Sequence, residues 1–188
     1  TMAAVSIDDR RAAFEMTQHL IELGHRRIGF IIGNPNQTAS AERLAGYRAA
    51  LAESGLDEEA GLIVQGLFTY RSGLDGAERL LTLADRPTAI FASNDDMAAA
   101  AVAVAHRRRL DVPRDLTVCG FDDTALATTI WPELTTIRQP IIEMSRTAVE
   151  LLVREIKDRK NGKSAAPQHL VLDFDLVRRQ SDAPPPLG

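Results

Sequence analysis

The chain has 188 residues, of which 45% are hydrophobic and 26% are charged, the balance of an ordinary globular protein with a buried core. Its formal net charge of −4 argues against a nucleic-acid-binding surface on these residues, because such surfaces are basic. No apolar run approaches the roughly 18 residues of a membrane span, and the N-terminus does not have the pattern of a signal peptide. The single cysteine, Cys119, is expected to be a small buried side chain in a protein of a reducing compartment.

Apolar residues along the chain alternate between the spacing of strands and the spacing of helices. Strands are predicted over residues 5–7, 27–32, 62–64, 88–92, 116–121, 134–137 and 170–177. Helices are predicted over residues 9–24, 40–55, from 72 onward, 95–108 and 141–160. This order indicates an α/β fold with a doubly wound, mostly parallel, Rossmann-like sheet and helices on both faces. The proline-rich residues 181–188 are predicted to be a tail.

Polar residues follow three of the predicted strands. Asn94, Asp122 and Gln139 lie at or just past the strand ends. In an open parallel sheet, ligands bind outside the carboxyl ends of the strands, so these side chains are candidates for binding a polar small molecule. For Asn94 and Asp122, capping of the next helix or turn is the structural alternative.

The sequence patterns of common enzymes on such sheets are absent. There is no G-x-G-x-x-G fingerprint, no phosphate-binding loop and no G-x-S-x-G turn, and the four histidines have no metal-binding spacing. We therefore expect no cofactor, no metal and no enzymatic activity, although the fold class alone does not exclude an enzyme.

Six segments, in this order and spacing, resemble the LacI/GalR family of bacterial transcriptional regulators. They are HLIELGHRRI (19–28), ERLAGY (42–47), RPTAIF (86–91), SNDDMA (93–98), GFDD (120–123) and LTTIRQP (134–140). The resemblance implies a two-lobed, type I periplasmic-binding-protein-like core behind a helix-turn-helix headpiece. By this resemblance, residues 1–139 and 169–180 form the C-terminal lobe, residues 140–162 are a helix of the mostly missing N-terminal lobe, and the headpiece is absent.

The resemblance also implies an effector site. Arg43 would hydrogen-bond effector hydroxyls or a carboxylate, with a surface ion pair to Glu42 or an aspartate as the alternative. Phe68 would stack on the ligand ring, with a core position as the alternative. Asn94 and Asp122 would bind hydroxyl groups, which favours a sugar or sugar derivative.

Two further residues have less defined expected roles. Gln139 could reach the cleft or satisfy the backbone. Trp131 could line the cleft, contact a second subunit or simply pack. Gln37 and Ala39 replace an arginine and a threonine that purine-binding members use, which argues against a purine effector. Ile141 replaces an aromatic residue of some sugar-binding members, so ring stacking would depend on Phe68 alone.

Two apolar surfaces are expected to need a partner. The alanine-rich helix over residues 95–108 is apolar on several faces, and by the resemblance one face contacts a second subunit in a twofold dimer. The expected contact residues are Met97, Ala98, Ala101, Val102, Ala105, Leu126 and Ile130. The helix after Pro140 has an apolar face, including Ala148, Val149, Leu152 and Ile156, that is expected to lack its usual cover.

Together these features predict the effector-sensing, dimerising domain of a cytoplasmic LacI-type repressor. A sugar-like effector would bind it and allosterically control operator DNA binding by the headpiece, with no membrane partner. A periplasmic sugar-binding protein of an ABC transporter has the same fold and is the alternative. It would need a signal peptide, and the alanine-rich helix argues against it.

Overall fold

The chain divides into two compact units. The computed structural model describes residues 3–161 and 168–186. The larger unit contains Asp9–Arg138 and Leu176–Gly188, and the smaller contains Thr1–Asp8 and Gln139–Asp175. The predicted boundaries differ, since they assigned residues 1–8 and 169–175 to the larger lobe. The structure groups them with the long helix because β1 (Ala4–Ile7) pairs in parallel with β7 (His169–Leu172).

The larger unit is built on a four-stranded parallel sheet. Its strands are β2 (Ile28–Ile32), β3 (Ile63–Gln65), β4 (Ala89–Ala92) and β5 (Thr117–Cys119). Their order is β3-β2-β4-β5, and each neighbouring pair is parallel. Parallel bridges from Cys119 to Thr135 and from Asp122 to Arg138 place β6 (Thr136–Arg138) beside the end of β5. The sheet confirms the predicted doubly wound α/β fold.

Helices connect the parallel strands, as a crossover requires. They are α1 (Asp9–Glu22), α2 (Thr38–Glu53), α3 (Tyr70–Leu81), α4 (Asp95–Arg107) and the short α5 (Leu126–Thr129). Alternate strand residues point to opposite faces of the sheet. Phe30 stacks on Tyr47 of α2 at 4.7 Å between ring centroids, whereas the adjacent Ile31 packs in a core cluster with residues of α3 and α4. Apolar layers therefore cover both faces.

Two helix starts lie earlier than predicted. Helix α2 begins at Thr38 rather than at Ser40, whose hydroxyl instead donates to the carbonyl of Asn34 at 2.6 Å. Helix α3 begins at Tyr70 and is capped by Thr69, whose side chain accepts from the amide of Ser72 at 3.2 Å. Serine occupies the third helical position there, where it completes a capping box. A serine near a helix start therefore does not identify the first helical residue, because it can be the N-cap or lie within the first turn.

The predicted tail is an integral part of the larger unit. Ser181 is fully buried, its carbonyl accepts from the amide of Val118 at 2.9 Å, and its hydroxyl accepts from the amide of Thr135 at the same distance. The amide of Ala183 donates to the hydroxyl of Thr117 at 3.0 Å. This segment thus supplies hydrogen-bond partners to residues of β5, so the tail prediction is wrong for residues 181–183. Residues 187 and 188 lie outside the described part of the chain.

The smaller unit leaves an apolar helix face exposed. Helix α6 (Ile141–Lys160) has the predicted bounds up to residue 160, and position 162 lies outside the described residues. Ile142 is 80% exposed and Val149 60% exposed, and the side chains of Ala148, Leu152 and Ile156 are also exposed. The described residues of this chain do not cover this face. The predicted strand over residues 170–177 is split into β7 and β8 (Asp175–Val177). Within the described residues, no helix combines the length and apolar character needed to cross a membrane.

Candidate functional site

Arg43 is a buried cation at the carboxyl end of the sheet. It lies in α2 and is only 5% exposed. Its Nε donates to Oδ1 of Asp9 at 2.7 Å, and its Nη1 donates to the carbonyl of Ser93 directly after β4. The guanidinium carbon lies 3.5 Å from the centroid of the Phe121 ring. The predicted alternative is correct in pairing Arg43 with an aspartate, but Arg43 is not a surface residue, because it is buried against the Phe121 ring.

Asn94 connects the start of α4 with the loop before α3. Its Oδ1 accepts from the amide of Met97 at 3.0 Å, so it caps α4, as the structural alternative stated. Its Nδ2 donates to the carbonyl of Phe68 at 3.0 Å. Phe68 has a left-handed φ of 62°, and a Cβ added at Gly33 would lie 2.0 Å from the Phe68 ring. Asn94 therefore holds the backbone of Phe68 while the ring covers Gly33.

Asp122 is presented by a strained loop. Asp122 and Asp123 both have positive φ, 110° and 56°, which is uncommon for residues other than glycine. The Asp122 amide donates to the carbonyl of Ile137 at 2.8 Å, and its Oδ1 lies 3.7 Å from Nη1 of Arg43. Asp123 pairs with Arg138 and Arg179, each at 2.6 Å. Burial raises the pKa of Asp123, but the two arginines outweigh it and leave that pKa below its ordinary value. Such strain is common at functional sites.

The structure brings together four of the six predicted ligand residues, Arg43, Phe68, Asn94 and Asp122. Gln139 belongs to the smaller unit, where it is half-buried and its carbonyl accepts from the amide of Ile141 at 2.9 Å. Trp131 is 72% exposed and lines a cavity of about 530 Å³ with His106 and Arg109, at the C-terminal end of α4. Asn94 caps the opposite, N-terminal end of α4, and the helix rise separates the two ends of α4 by about 20 Å. Trp131 therefore does not belong to the cluster of Arg43, Phe68, Asn94 and Asp122.

Most of the predicted dimer residues belong to the core of this chain. Met97, Ala98, Ala101, Val102 and Ala105 are all buried in the cluster shared by α3 and α4. A Cβ added at Gly73 of α3 would lie 2.5 Å from the Cα of Met97, so the two helices pack closely. Val102 is 3% exposed and the other four have no exposed surface, so these five are core residues and offer almost no surface to a partner. Leu126 and Ile130 are half-buried and retain surface that a partner could cover.

Two carboxylates at the site were not singled out from the sequence. Asp9, the first residue of α1, is the ion-pair partner of Arg43. Asp95, the first residue of α4, is 1% exposed, and burial raises its pKa to about 6 despite hydrogen bonds from Thr136 and Thr124. No local pattern identifies either role, because their partners are separated by 29 residues or more in sequence.

The cluster combines a fixed cation, a carboxylate, an amide and an aromatic ring. These groups can hydrogen-bond hydroxyls and stack on a ring, which suits recognition of a polar small molecule. Among the residues that the structure describes, no group of three or more His, Cys, Asp or Glu side chains could hold a metal ion.

The fold and the cluster at the strand ends define a ligand-binding domain, and comparison with known proteins agrees. Residues 17–181 match the family described as "Periplasmic binding protein-like domain". The transcriptional regulator DegA of Bacillus subtilis (strain 168) is 42% identical over 97% of this chain and 53% of that protein. CelR of Thermobifida fusca is 40% identical over 94% of this chain and 51% of that protein. The chain thus spans about half the length of these relatives.

Solved structures are similar over almost the whole chain. A complex of the regulator CelR with cellobiose has a TM-score of 0.89 and 39% identity, over 96% of this chain and 54% of that one. A LacI family regulator from Mycobacterium smegmatis has a TM-score of 0.89 and 31% identity, over 98% of this chain and 67% of that one. The chain belongs to the periplasmic-binding-protein-like domain family, and the relatives that it matches are LacI-type transcriptional regulators. These relatives are regulators, so they give no support to the transporter alternative.

Proposed function

We propose that this chain is the effector-sensing domain of a cytoplasmic LacI-type repressor that binds a small sugar-like molecule and performs no catalysis. The observation that carries the proposal is the cluster of Arg43, Phe68, Asn94 and Asp122 at the carboxyl ends of the sheet. Asp122 is partly exposed and can accept hydrogen bonds from hydroxyl groups, while Arg43 can donate to the same ligand. Solved structures of relatives in complex with cellobiose and with bound ribose support the sugar class.

Allosteric control would require a second lobe and a DNA-binding segment. We propose that the larger unit is the C-terminal lobe and that α6 belongs to the other lobe, with Gln139 at the connection between them. The exposed face of α6 supports this proposal, because an apolar surface containing Val149, Leu152 and Ile156 calls for a cover. Relatives named as helix-turn-helix regulators are about twice as long as this chain, and operator binding would reside in such a segment. The effector must bind the two lobe arrangements with different affinities.

The substitution Asp122→Asn tests the effector site. In the intact protein, we expect calorimetric titration with a panel that includes cellobiose and ribose to find a ligand, and D122N to weaken its binding at least about tenfold. Asparagine tolerates left-handed backbone but presents one acceptor oxygen instead of two and has no charge, and about 1.4 kcal/mol corresponds to tenfold.

The matched control is Asp85→Asn. Asp85 has an 80% exposed side chain that pairs with Arg27, away from the cluster, and D85N should bind as the wild type does. Absence of binding by every saccharide in the panel to the intact wild-type protein would contradict the sugar proposal. Equal affinities of D122N and the wild type would contradict the role of Asp122.

We also propose a twofold dimer that uses Leu126, Ile130 and the neighbouring Trp131. An exposed tryptophan beside half-buried aliphatic side chains is typical of an interface. Trp131 is the only tryptophan in these 188 residues, so in a protein made of these residues its fluorescence reports on this surface alone. On dilution from micromolar to nanomolar concentration, we expect its emission to shift to longer wavelength in step with loss of the dimer in light scattering.

The variant Trp131→Ser should weaken the dimer at least about tenfold, in line with the loss of a large interface side chain. Leu67→Ser is the control, because Leu67 is an exposed apolar residue on a different loop. A dimer that dissociates with no change in tryptophan emission would place the interface elsewhere.

A further inference from the structure

Asp95 is a buried carboxylate next to the loop that presents Asp122. Its Oδ2 accepts from the amide and the hydroxyl of Thr124, at 2.7 and 3.2 Å. Its Oδ1 accepts from the hydroxyl of Thr136 at 2.7 Å. One side chain therefore joins the start of α4, the loop after β5 and the strand β6.

We infer that Asp95 is a positioning residue for effector binding, which holds the loop of residues 120–124 so that the Asp122 carboxylate faces Arg43. This inference rests on the proposed function. Asp95 does not contact the effector. The role of Asp95 is to fix the backbone that carries Asp122.

The loop is held from two sides. On the inner side, a Cβ added at Gly120 would lie 2.4 Å from Oδ1 of Asp95, so the carboxylate packs directly against the loop backbone. On the outer side, Asp123 is held by Arg138 and Arg179. The strained residue Asp122 lies between these two anchors. A strained conformation persists only where the surroundings determine it, and Asp95 supplies the anchor on the Thr124 side.

Burying the Asp95 carboxylate is energetically unfavourable, which argues that it does more than fill space. Among the described residues, no cationic side chain forms an ion pair with it, and the nearby carboxylate of Asp122 raises its pKa further. A buried carboxylate without a cationic partner is unfavourable even when neutral donors hydrogen-bond it. The two carboxylate oxygens of Asp95, however, accept hydrogen bonds from both Thr124 and Thr136. Alanine at this position would make neither bond. Asparagine could accept from Thr124 through its oxygen and donate to the Thr136 hydroxyl through its amide nitrogen.

The experiment compares Asp95→Ala with Asp95→Asn in the intact protein. The first readout is hydrogen exchange of the Asp122 and Thr124 amides without any ligand. We expect exchange to accelerate at least about tenfold in D95A and to stay within about threefold of the wild type in D95N, because only alanine removes the acceptor. The second readout is affinity for cellobiose and ribose, which should fall about tenfold in D95A and recover in D95N.

The exposed neighbour Asp96 provides the control variant, Asp96→Ala, which should change neither readout. Should D95A not fold, Thr124→Val removes one hydrogen bond to Asp95 and is expected to accelerate exchange of the Asp122 amide about threefold. Unchanged exchange in D95A, or equal losses in D95A and D95N, would overturn the inference. Failure of the saccharides to bind wild-type protein would contradict the proposed function alone, since the exchange measurement needs no ligand.

Discussion

Replacement of Asp182 by alanine is expected to lower the free energy of unfolding by about 3–5 kcal/mol at pH 7, the usual cost of breaking a buried charged network. The Asp182 side chain has no exposed surface. Its Oδ2 lies 2.8 Å from Nε2 of His19 and 3.0 Å from a terminal nitrogen of Arg178, and its Oδ1 accepts from the hydroxyl of Thr135. Alanine would leave these groups without their acceptor and loosen the segment that completes the edge of β5. Urea denaturation followed by circular dichroism measures the loss.

Asp75→Ala is the matched control, because Asp75 has a 64% exposed side chain in a surface pair with Arg71. Its loss should cost no more than about 0.5 kcal/mol. Burial raises the pKa of Asp182, but hydrogen bonds from His19 and Thr135 outweigh this and leave the pKa below its ordinary value. The stabilisation is therefore present above the ordinary aspartate pKa and is lost as the pH falls through the lower, folded-state pKa. A D182A protein as stable as D75A would contradict this account.

The variant Asp95→Asn is expected to gain stability relative to the wild type as the pH rises. Burial raises the pKa of Asp95 from 3.8 to about 6 in the folded protein. The folded state thus favours the protonated acid, and that contribution is full below the unfolded-state pKa and lost as the pH rises through about 6. Asparagine is neutral at every pH. The stability of D95N minus that of the wild type should therefore increase by about 2–3 kcal/mol between about pH 4 and pH 7.5.

The comparison of the two proteins at each pH isolates Asp95. Other groups with shifted pKa values, including His25, Asp123 and Asp182, are present in both proteins, so their contributions cancel in the difference. Urea midpoints measured at several pH values give the difference directly. A difference that does not vary with pH would show that Asp95 titrates in the folded protein as it does in the unfolded chain.

The candidate cluster of Arg43, Phe68, Asn94 and Asp122 could be predicted in part from the sequence. Strand residues repeat with their own period, and parallel strands end at one edge of the sheet, so polar residues after β4 and β5 had to lie near each other. Asn94 and Asp122 were found in this way, and the motif resemblance added Arg43 and Phe68. Which hydrogen bonds these residues make could not be predicted in the same way. Asn94, for example, both caps α4 and holds the Phe68 carbonyl.

The alanine-rich helix α4 shows a limit of the apolar pattern, which predicts that a helix face is covered but not which element covers it. A helix that is apolar on several faces must be covered on those faces, but the pattern does not say by what. In the structure, α3 of the same chain packs closely on Met97, so the face expected to contact a second subunit is internal. The proposed dimer therefore uses the partly exposed surface near Leu126, Ile130 and Trp131.

The sequence by itself determined the order and type of the elements and the polar residues at the ends of the strands, because these depend on local periodicity and on the geometry of parallel sheets. Only the tertiary structure decided which buried carboxylates hydrogen-bond to which distant residues. His19 and Asp182 are 163 residues apart in the chain, and Asp95 and Thr136 are 41 apart. A hydrogen bond between distant residues depends on tertiary packing, which leaves no pattern in the local sequence. The burial of Asp182 in a proline-rich segment and of Asp95 at a helix start therefore could not be predicted.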